Sequence, residues 1–206
     1  IPFKISYDWK NHLECKKPLE KTYFHYGKEW FEKNKFSNEE LEFINQKKKE
    51  IFLKTNLHFI IMLWPPVENH FFEIEEQIKN DYSVLETFTY NFNKSDNFKN
   101  FVNDIYKIDD IEQWKINKKL SCMESKRKIK VMYLDLFSTE FREKTKHKNK
   151  YISLEIEKIK KSIREQYSPK VENYFYDIII HSGDNYEHTD DIKKNIQLYK
   201  GVLIED

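Results

Sequence analysis

Apolar and polar residues alternate along the chain in blocks that predict helices and strands in turn. "SNEELEFINQKKKEIF" opens with a capping box from Ser37 to Glu40, followed by apolar residues at helical spacing, which predicts a helix over about residues 37–54. "LHFIIMLW" is a continuous apolar run closed by two prolines, so we expect a buried strand at about 57–64. The next two blocks, "ENHFFEIEEQIKND" and "YSVLETFTYNF", have the periodicities of a helix and a strand.

The second half of the chain continues the same alternation. "DNFKNFVNDIYKI" and "DIEQWKINKKLSCME" predict two helices, and "KIKVMYLDLF" predicts a strand. A charged loop then leads into a helix from about Ser153, a fourth strand is expected in "YFYDIII", and "DIKKNIQLYKG" closes as a helix. This order predicts an α/β (α+β) sandwich of the ferredoxin-like type, in which helices pack on a four-stranded antiparallel sheet. We place that domain at 56–206, after a helical and irregular N-terminal extension at 1–55.

Composition narrows the class of protein. The chain has 206 residues and a net charge of +1, with both signs interspersed, so nucleic acid is an unlikely partner. The longest apolar run, "FIIMLW", is far short of a membrane span, and the given sequence does not open with a signal-peptide pattern. Cys15 and Cys122 are far apart and lack metal-ligand neighbours, which is typical of reduced thiols. We therefore expect a cytoplasmic (intracellular) protein.

Phosphate chemistry in this chain has to use side chains. The sequence contains only 3 glycines and has neither GxGxxG nor GxxxxGK[ST], so backbone cradles for phosphate are not expected. It also lacks GxSxG and HExxH. Arginine is rare, occurring only at Arg127, Arg142 and Arg164, and its planar fork suits phosphate recognition.

The segment "IIIHSGDNYEH" contains the strongest candidate for chemistry. His181 is expected at the end of a strand, where its imidazole can act as a base or nucleophile. Asp184 or Glu187 would hydrogen-bond one ring nitrogen and leave the other to attack, and Gly183 would permit close approach of a ligand. A purely structural turn, with Asp184 or Asn185 capping backbone amides, explains the same residues. His188, at the start of the last helix, is expected at the surface.

The stretch "DIIIHSGDNYEHTDDIKKNIQLY" resembles the signature of nucleoside diphosphate kinases, in which a strand ends in His-Gly-Ser-Asp-Ser. Here HSGDN replaces that motif, with Glu187 at the following acidic position. The resemblance implies that His181 is phosphorylated during turnover and that Arg142 and Arg164 bind nucleotide phosphates. It also places Thr145 near the family's threonine.

One position departs from the family in its charge. The family's first strand ends in Lys-Pro-Asp and its lysine holds a phosphate, whereas this chain has Trp64-Pro65-Pro66. The loop lysines Lys144 and Lys146 are candidates to replace that cation. Trp64 itself is a candidate to stack on a base or a sugar, and plain packing is the alternative.

The resemblance implies phosphoryl transfer from a nucleoside triphosphate, through a phosphohistidine at His181, to a nucleotide or another phosphate acceptor. Mg²⁺ would arrive bound to the nucleotide, and no protein ligands for a metal are predicted. Because members of the family are commonly oligomeric, the resemblance also implies a homo-oligomer. The alternative is a catalytically inactive binding module for a nucleotide or a protein partner. A third hypothesis, a transferase that uses Asp135 with a metal, requires further carboxylates at the ends of the third and fourth strands.

Overall fold

The computed structural model describes residues 58–123, 126–136, 139–144, 150–175 and 177–205. The predicted helix at about 37–54, the extension at 1–55 and Thr145 lie outside the described residues. The boundary of the domain at residue 56 therefore stays a prediction.

One five-stranded antiparallel sheet organises the described residues. Its strands stand in the order β6-β1-β3-β2-β7, where β1 is Phe59–Leu63, β2 is Ser83–Phe92, β3 is Lys128–Asp135, β6 is Ile180–Ser182 and β7 is Leu203–Glu205. β1 pairs with both β3 and β6, and β3 also pairs with β2. Taken in chain order, the four main strands have the arrangement 4-1-3-2 of a split βαβ, ferredoxin-like sheet. The predicted fold class is confirmed.

Five α-helices connect these strands: α1 at Phe71–Asp81, α2 at Ser95–Ile108, α3 at Gln113–Ser121, α4 at Leu154–Tyr167 and α5 at Tyr186–Tyr199. α1 and α4 are the crossover helices, and Gln77 Nε2 of α1 donates to Ser162 Oγ of α4 at 3.5 Å. α2 meets α5, where the Tyr199 hydroxyl donates to Asp104 at 2.7 Å. The helices thus form two neighbouring pairs over one sheet.

The core is built from the continuous apolar run of β1. All five of its residues are buried, as a central strand covered on both faces requires. Helix α4 begins where predicted, because the Ser153 side chain caps it by accepting from the Ile156 N–H at 3.2 Å. Its buried residues Ile156, Ile159 and Ile163 keep the helical spacing seen in the sequence.

The strand before His181 is shorter than predicted. The sequence suggests a strand at "YFYDIII", but only Ile180–Ser182 is extended and paired. Asp177 has φ 57, in the left-handed region, and this interrupts the extended chain. Helix α5 correspondingly begins at Tyr186, five residues before the predicted start at Asp191, with Asn185 as its cap.

Three short strands were not predicted. β4 (Phe141–Lys144) and β5 (Lys150–Ser153) pair as a small separate hairpin in the charged stretch before α4. β7 adds a fifth strand at the edge of the main sheet, beside β2. Among the described residues, no helix is long and apolar enough to cross a membrane.

Candidate functional site

A cavity of about 280 Å³ lies over His181. The α2–α3 hairpin, α4, β6 and the first turn of α5 contribute its walls. Besides two histidines, it is lined by three cationic and three acidic side chains: Lys119, Lys160, Arg164, Asp109, Asp177 and Asp184. The cavity thus brings charges of both signs together at the β6 edge of the sheet.

His181 lies in the middle of β6, not beyond the end of a strand. Its backbone is in register with Met62 of β1, and its side chain is only 8% exposed. The ring packs against the edge of Tyr106, with centroids 5.4 Å apart, and against Trp64 at 6.2 Å. Burial, reinforced by the neighbouring His188 and by the positive charges of Lys160, Arg164 and Lys119, lowers the pKa of His181 well below its usual value. The imidazole is therefore neutral at pH 7.

The carboxylate nearest His181 belongs to Asp109. Its Oδ2 lies 3.8 Å from His181 Nε2, and its Oδ1 lies 3.2 Å from His188 Nε2. Asp109 is the C-cap residue of α2, and Asp110 follows with φ 54, a left-handed conformation that Asp tolerates better than most residues. From the sequence, Asp184 or Glu187 is expected to be the carboxylate beside His181. Asp109 is marked in the sequence only as part of an Asp-Asp pair between two predicted helices, and such a pair does not indicate contact with a histidine far along the chain.

His188 is buried, in contrast to the surface position expected from the sequence. Its side chain is only 4% exposed, and its ring meets the His181 ring at 78° with centroids 5.8 Å apart. His188 Nδ1 accepts a hydrogen bond from the Asp184 N–H at 3.2 Å. The Asn185 side chain accepts from the His188 N–H at 2.8 Å, so the first turn of α5 holds this histidine firmly.

Two of the cations are paired with acidic groups of the cavity. Lys160 Nζ lies 2.5 Å from Asp184 Oδ1. Arg164 Nε lies 3.0 Å from Asp177 Oδ1, and its Nη2 donates to the Ile180 carbonyl at 3.2 Å. Arg164 and Asp184, both expected near His181 from the sequence, line the same cavity as His181.

The third cation, Lys119, is buried. Its ammonium lies 4.7 Å from the centre of the Tyr106 ring, a cation–π distance. Burial lowers the pKa of Lys119 to about 8. The same environment raises the pKa of Tyr106, chiefly through burial.

Lys119 and Lys160 are not predicted as site residues, although the helical spacing of the sequence relates each of them to a residue already noted. Lys160 precedes Arg164 by four residues and so shares its helix face. Lys119 stands three residues after Ile116, on the buried face of α3. The resemblance directs attention to the loop before α4 for a replacement cation, and Lys146 of that loop lies outside the described residues.

Three of the predicted site residues do not line this cavity. Arg142 is 58% exposed and pairs with Glu157 at 2.7 Å, and Glu187 is exposed in the first turn of α5. Trp64 is fully buried, stacked on Tyr106 behind His181, so its ring packs in the core and offers no open face to a base or sugar. Asp135, the candidate metal ligand of the third hypothesis, is buried and does not line this cavity either.

Among the described residues, one group has the composition and spacing to hold a metal ion: Asp109, His181 and His188, whose ligand atoms lie within 4.8 Å of one another. No protein ligands for a metal had been predicted from the sequence. The group is poorly prepared, however, because a histidine ligand must present a nitrogen lone pair. His188 Nδ1 already accepts from a backbone N–H, so in the neutral ring Nε2 carries the proton.

The chain was compared with known proteins in three ways. No protein-family model and no curated protein matches it. Among solved structures, a crystal structure of the Aquifex aeolicus nucleoside diphosphate kinase is similar, at 10% sequence identity and a TM-score of 0.45. The match covers 68% of this chain and 93% of that one. The fold assignment itself rests on the strand order.

Proposed function

We propose that the chain transfers a phosphoryl group from a nucleoside triphosphate through a phosphohistidine at His181. The observation that supports this most directly is a buried imidazole that lines a cavity together with three cationic side chains, Lys119, Lys160 and Arg164. In this proposal Nδ1 is the attacking nitrogen, and the proton stays on Nε2, the nitrogen nearer to the negative charge of Asp109. A neutral, oriented imidazole is the form that can act as a nucleophile.

The reaction balances in two steps. Nδ1 of His181 attacks the γ-phosphorus in line, a nitrogen–phosphorus bond forms, and the bond to the bridging oxygen breaks, so that a nucleoside diphosphate leaves with the electron pair. A phosphate oxygen of the acceptor then attacks the phosphohistidine and restores the imidazole. Lys119, Lys160 and Arg164 would stabilise the charge on the transferring group, and losing one such preorganised donor costs about 10²- to 10³-fold in rate.

The cavity has to exchange its internal ion pairs for a ligand. Lys160 and Arg164 are paired with Asp184 and Asp177, so a phosphate must displace these carboxylates or arrive with a cation that they can bind. Mg²⁺ carried by the nucleotide fits this requirement, since carboxylate oxygens are the donors it prefers. In this proposal the metal belongs to the substrate.

The size of the cavity fits the phosphate end of a nucleotide only. At about 280 Å³ it falls just below the range for drug-sized ligands. A second groove of about 830 Å³ is lined by Lys118, the neighbour of Lys119, and by Tyr174, whose hydroxyl accepts from the Asp177 N–H at 3.3 Å. We assign the phosphates to the smaller cavity and the nucleoside to this adjoining groove.

A second candidate function is a nucleotide- or protein-binding module without catalysis. It is favoured by the burial of His181, whose side chain is 8% exposed, because an in-line attack requires the phosphorus to reach this ring. The pairing of Lys160 and Arg164 with carboxylates favours it too.

The deciding experiment is incubation of the full chain with Mg²⁺ and γ-labelled ATP. We expect acid-labile, base-stable label that is absent from His181→Asn. Arg164→Lys should reduce the labelling rate about 10²-fold or more, because the bidentate fork is lost. Arg142→Lys is the matched control and should label at the wild-type rate, since Arg142 is exposed and outside the cavity.

Two other results would redirect the proposal. Absence of label together with saturable binding of Mg²⁺–ATP would replace phosphoryl transfer by the binding module. Label that persists in His181→Asn would place the chemistry on another residue.

A further inference from the structure

We propose that the amine of Lys119 is a nucleophile that binds small phosphorylated aldehydes as an imine, which makes the cavity over His181 a covalent modification site. Three features support this: Lys119 is buried in the cavity wall, two other cations there suit a phosphate, and the cavity has the size of such a compound. The proposal rests on the proposed function in one consequence only, that the adduct excludes the nucleotide.

Lys119 differs from its neighbour Lys118 in its surroundings. The Lys119 side chain lies on the buried face of α3, is only 5% exposed and lines the cavity. Lys118 is exposed and lines the larger groove, where its ammonium lies 6.0 Å from the centre of the Phe175 ring. Consecutive residues of a helix point in different directions, so of these two lysines only Lys119 can react inside the cavity.

The surroundings of Lys119 favour its neutral amine. Burial is the largest influence and lowers the pKa to about 8. Charged and titratable neighbours act in both directions on this pKa: Asp177, Asp109 and Cys122 raise it, and Arg164 lowers it. At pH 7 about one tenth of such amines carry a lone pair, compared with roughly one in 3,000 for an ordinary lysine. A desolvated lysine near another cation is the kind that forms imines with carbonyl compounds.

The other two cations of the cavity suit the phosphate of such a compound. Lys160 and Arg164 lie one turn apart on α4, and both line the cavity. Arg164 Nε is buried and makes no hydrogen bond, although a carboxylate oxygen of Asp177 lies 3.0 Å away. A phosphate oxygen can therefore replace Asp177 at this nitrogen and accept a charge-assisted hydrogen bond.

The size of the cavity limits the aldehyde to a small compound. Its volume of about 280 Å³ falls just below the range for drug-sized ligands. This suits one phosphate joined to a single ring or a short carbon chain. An aldehyde held there occupies the space that we assign to the nucleotide phosphates, so the two ligands should exclude each other.

The reaction balances without an oxidant or a reductant. The lone pair of the Lys119 amine forms a bond to the aldehyde carbon, and the carbonyl oxygen takes up a proton to give a carbinolamine. That oxygen then leaves as water, the nitrogen loses its remaining proton, and a carbon–nitrogen double bond forms. His181 and Asp109 line the same cavity, and both are groups that can accept and return protons.

The test uses pyridoxal 5′-phosphate as the probe, with the full chain and no nucleotide. Borohydride converts the imine to a stable amine, and mass spectrometry of peptides identifies the modified lysine. We expect about one equivalent at Lys119 at a probe concentration that leaves Lys118 unmodified. Lys119→Arg keeps the positive charge and cannot form the imine, so its peptide should carry no label.

Lys115→Met is the matched control for a lysine of the same helix outside the cavity. Lys115 pairs with Glu112 at 2.6 Å and does not line the cavity, so labelling of Lys119 should be unchanged in this variant. Circular dichroism of each variant verifies that it is folded before its labelling is interpreted.

Two further measurements test the environment and the phosphate. The rate of labelling should rise with pH and level off above about pH 8, where an ordinary lysine would continue to gain reactivity. Pyridoxal, which lacks the phosphate, should label Lys119 about 10-fold or more slowly, because its charge-assisted hydrogen bonds are lost. Labelling spread evenly over exposed lysines, or equal rates for the two probes, would overturn the proposal.

Competition with Mg²⁺–ATP separates this proposal from the proposed function. Protection of Lys119 by Mg²⁺–ATP would support a shared cavity. Labelling of Lys119 without any phosphohistidine from ATP would leave the covalent site in place and reject only the proposed function. Phosphohistidine in a chain whose Lys119 stays unlabelled would reject only the covalent site.

Discussion

At the scale of single residues, the site depends on charges that the fold has buried. Lys119 is the clearest case, because its ammonium has little solvent and faces an aromatic ring. Burial costs such a group the hydration of its charge, and the lowered pKa expresses that cost. An anionic ligand in the cavity would offset it, which is why we assign Lys119 to phosphate binding.

Lys119 should leave a signature in the pH dependence of stability. Its pKa is about 8 in the folded chain and near 10.5 when unfolded, so between these values the unfolded chain binds the proton more strongly. Stability therefore rises with pH across this window relative to Lys119→Met, whose curve lacks this contribution. Urea unfolding of both chains between pH 7.5 and 10 measures the difference.

Lys118→Met is the matched control for that experiment, since Lys118 is the exposed neighbour on α3. Its curve should stay parallel to that of the wild type over the same pH range. Parallel curves for Lys119→Met as well would mean that Lys119 keeps an ordinary pKa in the folded chain.

Trp64 is a core residue at the position where the resemblance to nucleoside diphosphate kinases implies a lysine. Its ring is fully buried against Tyr106 and Phe101. Trp64→Lys would remove this packing and bury a charge, so we expect it to destabilise the chain by at least about 3 kcal/mol and to restore no phosphate contact. Urea unfolding tests the loss, and the milder Trp64→Phe, which keeps an aromatic ring, serves as the control.

At the scale of elements, the turn between β6 and α5 builds the site. The backbone passes from His181 into helix α5 within four residues, and this places His188 beside His181. Gly183 permits the tight connection. A Cβ there would lie 2.7 Å from the backbone N and Cα of Thr189 and 2.2 Å from its Oγ1. Helix α5, through Thr189, is thus the group that closely approaches Gly183.

Gly183→Ala should force α5 away from β6. Overpacking of this kind costs about 1 to 3 kcal/mol, and it should also displace the His188 ring from its contact with the His181 ring. Adding Thr189→Ala should recover only part of the stability, because the clash with the Thr189 backbone remains. Full recovery in the double variant would show that the Thr189 side chain alone caused the conflict.

At the scale of the whole molecule, the described residues form a five-stranded sheet, a small separate hairpin, and helices that share a common core with the large sheet. We expect the fragment 56–206 to fold without the N-terminal extension and to unfold in a single cooperative transition. Circular dichroism and urea unfolding of this fragment, compared with the full chain, test the domain boundary. Loss of cooperativity would show that residues 1–55 belong to the core.

The predicted elements and the site differ in how far the sequence specifies them. The apolar run of β1 and the helical spacing of α4 were sufficient to predict these two elements, because the spacing of apolar residues is a local property of the sequence. The short β6 was missed because an apolar run does not reveal that Asp177 adopts a left-handed conformation. The early start of α5 was missed because its first turn has few apolar residues apart from Tyr186.

The sequence by itself determined the order of the five helices and the four main strands, the ferredoxin-like class and the choice of His181 as the candidate centre. Only the tertiary structure decided which groups face that histidine. Asp109, Lys119 and His188 come from three different elements, and their distances to His181 depend on how α2, α3 and α5 pack on the sheet. Periodicity predicts which face of each helix is buried, but helix packing alone decides which buried side chains meet.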